Sequence, residues 1–277
     1  PDVLYDVPKM LISSYGPLAL KWNYIPKMIN WLIHYFKNCN RNSMMHTAKN
    51  MHQILSLSND AYEEIFEVDV IVDGRAVFGI YTDATNDSEK GMIIVHGTGI
   101  HPDWEQVVQP IRVAMVEHGW HTLSIQMPIL RNGAEFEEYV PLYPEVPPRL
   151  KAAEQFLKQK GAETLVIVAH SQGATMSSYY LSRNANDIQG FVAIGMGATQ
   201  KDSDVNSAIS LKAINIPVLD LYGSDDLPGV LETAELRKQA ATHNARYSQQ
   251  VIQGANHFFD EMDDELIQAV ADWSEQF

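Results

Sequence analysis

From about residue 90 to the C-terminus, short apolar runs alternate with stretches of helical character, and this alternation confines the chain to few architectures. The runs at 92–96, 122–126, 164–169, 191–195, 216–222 and 247–252 have strand length. The segments between and after them at 103–118, 148–160, 172–184, 230–241 and 260–273 have helix length. Strand and helix in repeated alternation predict a mostly parallel sheet with helices on both faces. Upstream, 68–72 and 75–81 flank Asp73-Gly74 and predict a β-hairpin, preceded by a helical stretch over 51–67. No repeat is visible and no linker interrupts the chain after residue 90, so residues 51–277 read as one α/β domain.

Residues 1–50 are compositionally different. They hold six basic residues (Lys9, Lys21, Lys27, Lys37, Arg41, Lys49) against Asp2 and Asp6, although the whole chain has 20 Lys+Arg against 35 Asp+Glu and a net charge of −15. Met28, Trp31, Leu32, Tyr35 and Phe36 recur at helical spacing on one face. The expectation is an N-terminal helical or partly ordered extension that packs on the domain, joins a second copy as a homo-oligomer contact, or lies in a membrane surface as a peripheral anchor. The longest apolar candidate for a span, 25–36, is broken by Pro26, Lys27, Asn30 and His34. The strong net negative charge repels phosphate backbones and argues against a nucleic-acid partner. Cys39 is the single cysteine, no Cys/His cluster has zinc-site spacing, and no H-E-x-x-H occurs, so no metal site is expected. The N-terminus lacks the features of a secretory signal but begins with Pro, which leaves a cytoplasmic location as the default and a periplasmic one if a leader was removed.

The chemistry-bearing signal is Ala169-His170-Ser171-Gln172-Gly173, which lies between a buried strand and a helix. A serine on a sharp strand-to-helix turn holds its Oγ clear of the sheet, and small flanking residues let the two backbones approach. The form is G-x-S-x-G with Ala169 replacing the first glycine; the alternative is a serine that only caps the helix. An earlier strand ends in His96-Gly97-Thr98-Gly99, where glycines permit a backbone N–H to face a reacting carbonyl. The N–H groups of Thr98 and Gln172 are the oxyanion-hole candidates.

A serine hydroxyl needs an imidazole to take its proton and a carboxylate to orient that imidazole, in the chain order Ser, acid, His for this architecture. His257, in Gly254-Ala-Asn-His257, follows the last strand and is preferred to His243, which follows a helix. For the acid, the loop Gly223-Ser224-Asp225-Asp226 offers Asp226, with Asp225 as its rival, since a shift of one residue in the turn exchanges their directions. Asp220, inside the preceding strand, reads as a buried paired carboxylate. The stretch 130–148, with Phe136, Tyr139 and Tyr143, is a candidate substrate wall. His101 and Trp104 are further candidate substrate contacts, although Asp103 could equally cap a following helix with Trp104 packed beneath the loop.

Taken together, His96-Gly97-Thr98-Gly99, the Ser171 pentapeptide, Gly223 to Asp226 and Gly254 to His257 resemble the alpha/beta-hydrolase superfamily from about residue 65 onward. His101-Pro102-Asp103-Trp104, 119–128 and 219–222 are similar to a little-characterised bacterial family within it. The resemblance implies an alpha/beta-hydrolase fold with a central sheet of about eight strands, a covalent acyl-serine intermediate and no required cofactor. With only about twenty residues between 195 and 216, no large cap domain is expected. The expected activity is a serine hydrolase, a carboxylesterase acting on a small-molecule ester. A thioesterase or amidase would use the same triad, and a non-catalytic binding protein would use the same fold.

Overall fold

The computed structural model describes residues 63–70, 75–131, 133–202 and 204–277, all within one compact unit. The expectations for residues 1–50, and for a helix up to residue 62, lie outside the described residues. Eight strands form one sheet: β1 (Glu63–Val70), β2 (Arg75–Thr82), β3 (Lys90–Val95), β4 (His121–Ile125), β5 (Thr164–His170), β6 (Gly190–Ile194), β7 (Val218–Asp225) and β8 (Tyr247–Asn256). Their order is β1-β2-β4-β3-β5-β6-β7-β8, antiparallel from β1 through β4 and parallel from there on. Around the sheet lie α1 (Val108–Ala114), α2 (Val146–Gln159), α3 (Gln172–Arg183), α4 (Ser207–Leu211), α5 (Pro228–Leu231), α6 (Ala234–Ala240) and α7 (Asp263–Ser274). Between β6 and β7 the described chain holds only the five-residue α4, so no cap domain covers the sheet there.

The apolar runs of β3 to β7 are strands whose central residues are buried on one face or the other, whereas β8, at the sheet edge, is largely exposed. Met92, Ile94, Val166, Val168, Val192 and Ile194 pack with Val108, Ile111, Leu266 and Val270 on one side of the sheet. Ile93, Val95, Leu165, Ile167, Phe191 and Ala193 pack with Leu150, Leu157, Met176 and Tyr180 on the other. Alternation with period two thus supplies two cores from one sheet, and each large side chain removed from water contributes about 1.5–3 kcal/mol. β3 lies between β4 and β5, and the helices that follow β3 and β5 pack on opposite faces. In open α/β sheets the carboxyl ends of two such strands border the crevice where ligands bind.

Three expectations are corrected. Residues 63–67 continue a strand rather than a helix, because the whole of β1 pairs with β2, from Glu63↔Thr82 to Val70↔Arg75. The helix expected at 103–118 is only α1: Val107 has φ 63, which no helix accommodates, and Asp103 does not cap the helix but forms a 2.7 Å ion pair with buried Arg112. The helix expected at 230–241 is split into α5 and α6. The segment Phe136–Glu145 is a 3-10 helix containing Pro141 and Pro144, residues that cannot donate to an α-helical ladder.

Asp220 in β7 is paired, as its position in the strand suggested. It accepts from Arg237 Nε on α6 at 2.8 Å and from Tyr247 Oη and Gln249 Nε2 on β8 at 2.6 and 2.9 Å, so the network ties the edge strand to its neighbour. Both charges are fully buried, and removing one partner leaves the other uncompensated. Arg237→Met is expected to lower unfolding stability by about 3–5 kcal/mol in urea titration. A loss below 1 kcal/mol would contradict this role.

Candidate active site

The site is built where β3 and β5 end. Ser171 follows β5 directly and has φ 54 and ψ −123, a conformation that costs a non-glycine residue roughly 1–3 kcal/mol. Its N–H is held by the carbonyl of Ile194 at 2.8 Å. Gly173 is required at this turn, because a Cβ there would stand 2.3 Å from the carbonyl oxygen of His96. Ala169, where the motif has its first glycine, is buried in β5 opposite Val95 and Ala193.

Two other strand ends reach the same place. Asp226 follows β7, His257 follows β8, and both are nearly buried. His257 Nε2 lies 3.0 Å from Ser171 Oγ, and His257 Nδ1 lies 2.6 Å from Asp226 Oδ1. Asp226 is itself oriented by the N–H of Leu227 at 2.7 Å on Oδ1 and of Gly223 at 3.4 Å on Oδ2. With the imidazole proton on Nδ1, directed to the carboxylate, Nε2 offers its lone pair to the serine hydroxyl. Asp225 points elsewhere: it is exposed and accepts from Ser224 Oγ at 3.2 Å. Gly195, with φ 58, also makes room here, since a Cβ would meet His257 Cε1 at 2.9 Å.

Thr98 lines the cleft beside Ser171. Gln172 is the first residue of α3, so its N–H is a first-turn donor with no acceptor inside the helix, and its side-chain amide donates to Tyr143 Oη at 3.1 Å. His96 fixes the Thr98 loop from below: its Nε2 accepts the N–H of Met127 at 2.9 Å, and Nδ1 lies 2.8 Å from the carbonyl of Gly97. Burial lowers the His96 pKa from 6.5 to about 3. His170 is lowered to about 3 in the same way, first by burial and then by neighbouring His257; its Nε2 lies 2.9 Å from the backbone carbonyl of His257.

The cleft has a volume of about 160 Å³, and the described residues that line it are Gly97, Thr98, Ile100, Phe136, His170, Ser171, Leu227, His257 and Phe258. Phe136 belongs to the stretch expected as a wall. The other substrate candidates are placed elsewhere. Tyr139 is buried with its hydroxyl accepting the N–H of Leu130 at 3.2 Å, and Tyr143 is buried edge-on to Tyr179, touching the site only through Gln172. His101 is buried, accepts the N–H of Asp103 at 3.2 Å and stacks edge-on with Trp104 at 5.5 Å, so this pair supports the loop rather than lining the cleft. Ile100, His170, Leu227 and Phe258 were not anticipated; each is within two residues of an anticipated one, and that adjacency was the available signal. Among the described residues no three His, Cys, Asp or Glu side chains are grouped to hold a metal ion.

Residues 40–145 and 142–276 match the model of a family described as "Protein of unknown function (DUF3530)". The chain belongs to that family. No curated protein matches the sequence. Among solved structures, an esterase of Pyrococcus furiosus superposes with a TM-score of 0.64 at 17% identity, covering 81% of this chain and 95% of its own. Est1E from Butyrivibrio proteoclasticus gives 0.59 at 15%, covering 76% and 98%. An esterase domain of a Rhodothermus marinus protein gives 0.57 at 14%, covering 77% and 98%. This DUF3530 chain therefore has the alpha/beta-hydrolase fold, with the mostly parallel sheet and flanking helices that the alternation in its sequence implied.

The two buried imidazoles make stability depend on pH. Both are neutral when folded and titrate at 6.5 when unfolded, so between pH 6.5 and about 3 the unfolded chain binds more protons and stability rises with pH. Their contribution is complete above pH 6.5, and acidification to pH 5.5 is expected to remove on the order of 3 kcal/mol for the pair. Chemical denaturation at several pH values checks this, with His170→Asn expected to shallow the slope between pH 6.5 and 5; an identical slope in the variant would contradict it.

Proposed function

We propose that this chain is a serine hydrolase that cleaves carboxylic esters. One observation carries the reading: Ser171, His257 and Asp226, from three strand ends, form a continuous hydrogen-bonded relay at a cleft. The strained backbone of Ser171 supports it, since such strain concentrates at functional turns. The esterase names carried by two of the structural relatives point the same way, but the fold alone hosts many chemistries.

In this reading Ser171 Oγ attacks the ester carbonyl while its proton passes to His257 Nε2. Asp226 holds the imidazole in the required tautomer and stabilises the imidazolium. The tetrahedral oxyanion is received by the N–H groups of Thr98 and Gln172, each such donor typically being worth about 10²–10³ in rate. Collapse breaks the bond from carbon to the leaving oxygen, His257 returns the proton to the departing alcohol, and an acyl-Ser171 remains. Water, deprotonated by His257, then attacks the acyl carbon; the acid leaves and the serine is restored. Thioesters and amides would pass through the same steps, with the thiol or amine as leaving group.

Hydrolysis of p-nitrophenyl butyrate is the direct test. Ser171→Ala is expected to lower kcat by about 10⁴-fold or more, and Asp226→Asn by a comparable factor through loss of the tautomer, while Asp225→Asn stays within about threefold of wild type. Equal rates for wild type and Ser171→Ala would overturn the assignment of the nucleophile.

A further inference from the structure

We infer that the cleft selects esters whose acyl group is uncharged and apolar, and that it rejects acyl chains ending in a carboxylate. This deepens the esterase reading and rests on it. The argument begins with what the wall lacks. Beside the relay and the Thr98 loop, the described residues of the lining are Ile100, Phe136, Leu227 and Phe258, with His170, and among the described residues no Lys or Arg lines the cleft. His170 supplies no positive charge, because its ring is buried and packs against the ring of His257 at 4.8 Å, and both effects outweigh the carbonyl of residue 257 that its Nε2 faces. A carboxylate entering this cleft would lose hydration and find no cation or bidentate donor in return, which is the costly case for a buried charge.

The mouth adds to the penalty. Each apolar wall residue that approaches the surface is flanked in the chain by exposed acids: Phe136 by Glu135 and Glu137, Leu227 by Asp225, and Phe258 by Asp260 and Glu261. Farther along the same segment the pKa of Asp263 is raised from the ordinary aspartate value, first by burial and then by the neighbouring charges of Asp264 and Asp260. The one cation close to Phe136 in sequence, Arg131, is engaged by both carboxylate oxygens of Glu138, at 2.6 and 3.1 Å. A further exposed cation, Lys201, is brought beside Glu137 by its backbone N–H at 3.3 Å, but the five exposed acids outnumber it, so an anionic substrate is opposed at encounter as well as in the cleft. The volume of about 160 Å³ is below the roughly 300–1,000 Å³ of clefts that enclose drug-sized ligands, which fits a short acyl chain. Phe136 and Leu227, exposed at 37% and 46%, leave the outer wall apolar where such a chain would run.

The test compares p-nitrophenyl hexanoate with the p-nitrophenyl half-ester of adipic acid, in which a carboxylate replaces the terminal methyl and the chain length is unchanged. Rates are corrected with Ser171→Ala. The hexanoate is expected to have kcat/KM at least about 30-fold higher at low salt. Leu227→Lys, which puts a cation on the exposed wall, is expected to shrink that ratio by at least about fivefold. Half-ester cleavage within about threefold of the hexanoate in wild type would overturn the inference while leaving the esterase reading in place. A preference untouched by Leu227→Lys would overturn its assignment to the charge of this wall. Failure of both esters to react above the Ser171→Ala background would instead remove the esterase reading and this inference with it.

Discussion

The hydrogen bond between His257 Nε2 and Ser171 Oγ joins residues 86 positions apart, and almost every feature of the sheet serves to make that contact short. Neither side chain could find the other through local structure. Ser171 is placed by β5, which lies in the middle of the sheet, and His257 by β8, the edge strand three places away. Between them β6 is followed by Gly195, whose missing side chain leaves the space that the imidazole occupies. The relay is therefore a property of strand order and of where small residues fall.

Strain and close packing are concentrated at the same point. The turn at Ser171 takes an unfavourable φ, and its neighbour Gly173 is pressed against the carbonyl of His96, so the Thr98 loop and the start of α3 are locked to each other. His96 in turn ties that loop to Met127 beyond β4. The buried, neutral imidazoles at 96 and 170 act as braces made of ordinary hydrogen bonds, and their burial couples the integrity of the site to pH. A rigid support of this kind is what electrostatic stabilisation of a transition state requires, because donors that are already oriented need no reorganisation during the reaction.

Much of this was legible in the residues, and the exceptions have physical causes. Strands β3 to β7 are buried on both faces, so their apolar runs stand out without any knowledge of partners. β1 was not legible over 63–67, because Glu63-Glu64-Ile65-Phe66-Glu67 does not alternate and the strand declares itself only through the ladder it forms with β2. The start of α1 was missed because Val107 takes a left-handed conformation fixed by tertiary packing, and because the carboxylate of Asp103 is drawn to Arg112 rather than to a helix end. Asp226 was preferred from the sequence with Asp225 as its rival, and a firmer choice was out of reach because the ladder between β7 and β8 is irregular between Gly223 and Asp225, just where the two carboxylates lie. The same limit applied to the tyrosines. A proline-interrupted 3-10 segment has no fixed apolar face, so sequence did not tell that Tyr139 and Tyr143 turn to the core while Phe136 turns to the cleft.

The central claim is covalent chemistry at one oxygen, and intact-protein mass spectrometry of an acid-quenched reaction with a p-nitrophenyl ester tests it most directly. The account predicts a transient mass increase of one acyl group that maps to the peptide containing Ser171 and that is absent from Ser171→Ala. An acyl group carried on a different residue, or ester turnover that survives the loss of the Ser171 hydroxyl, would contradict it.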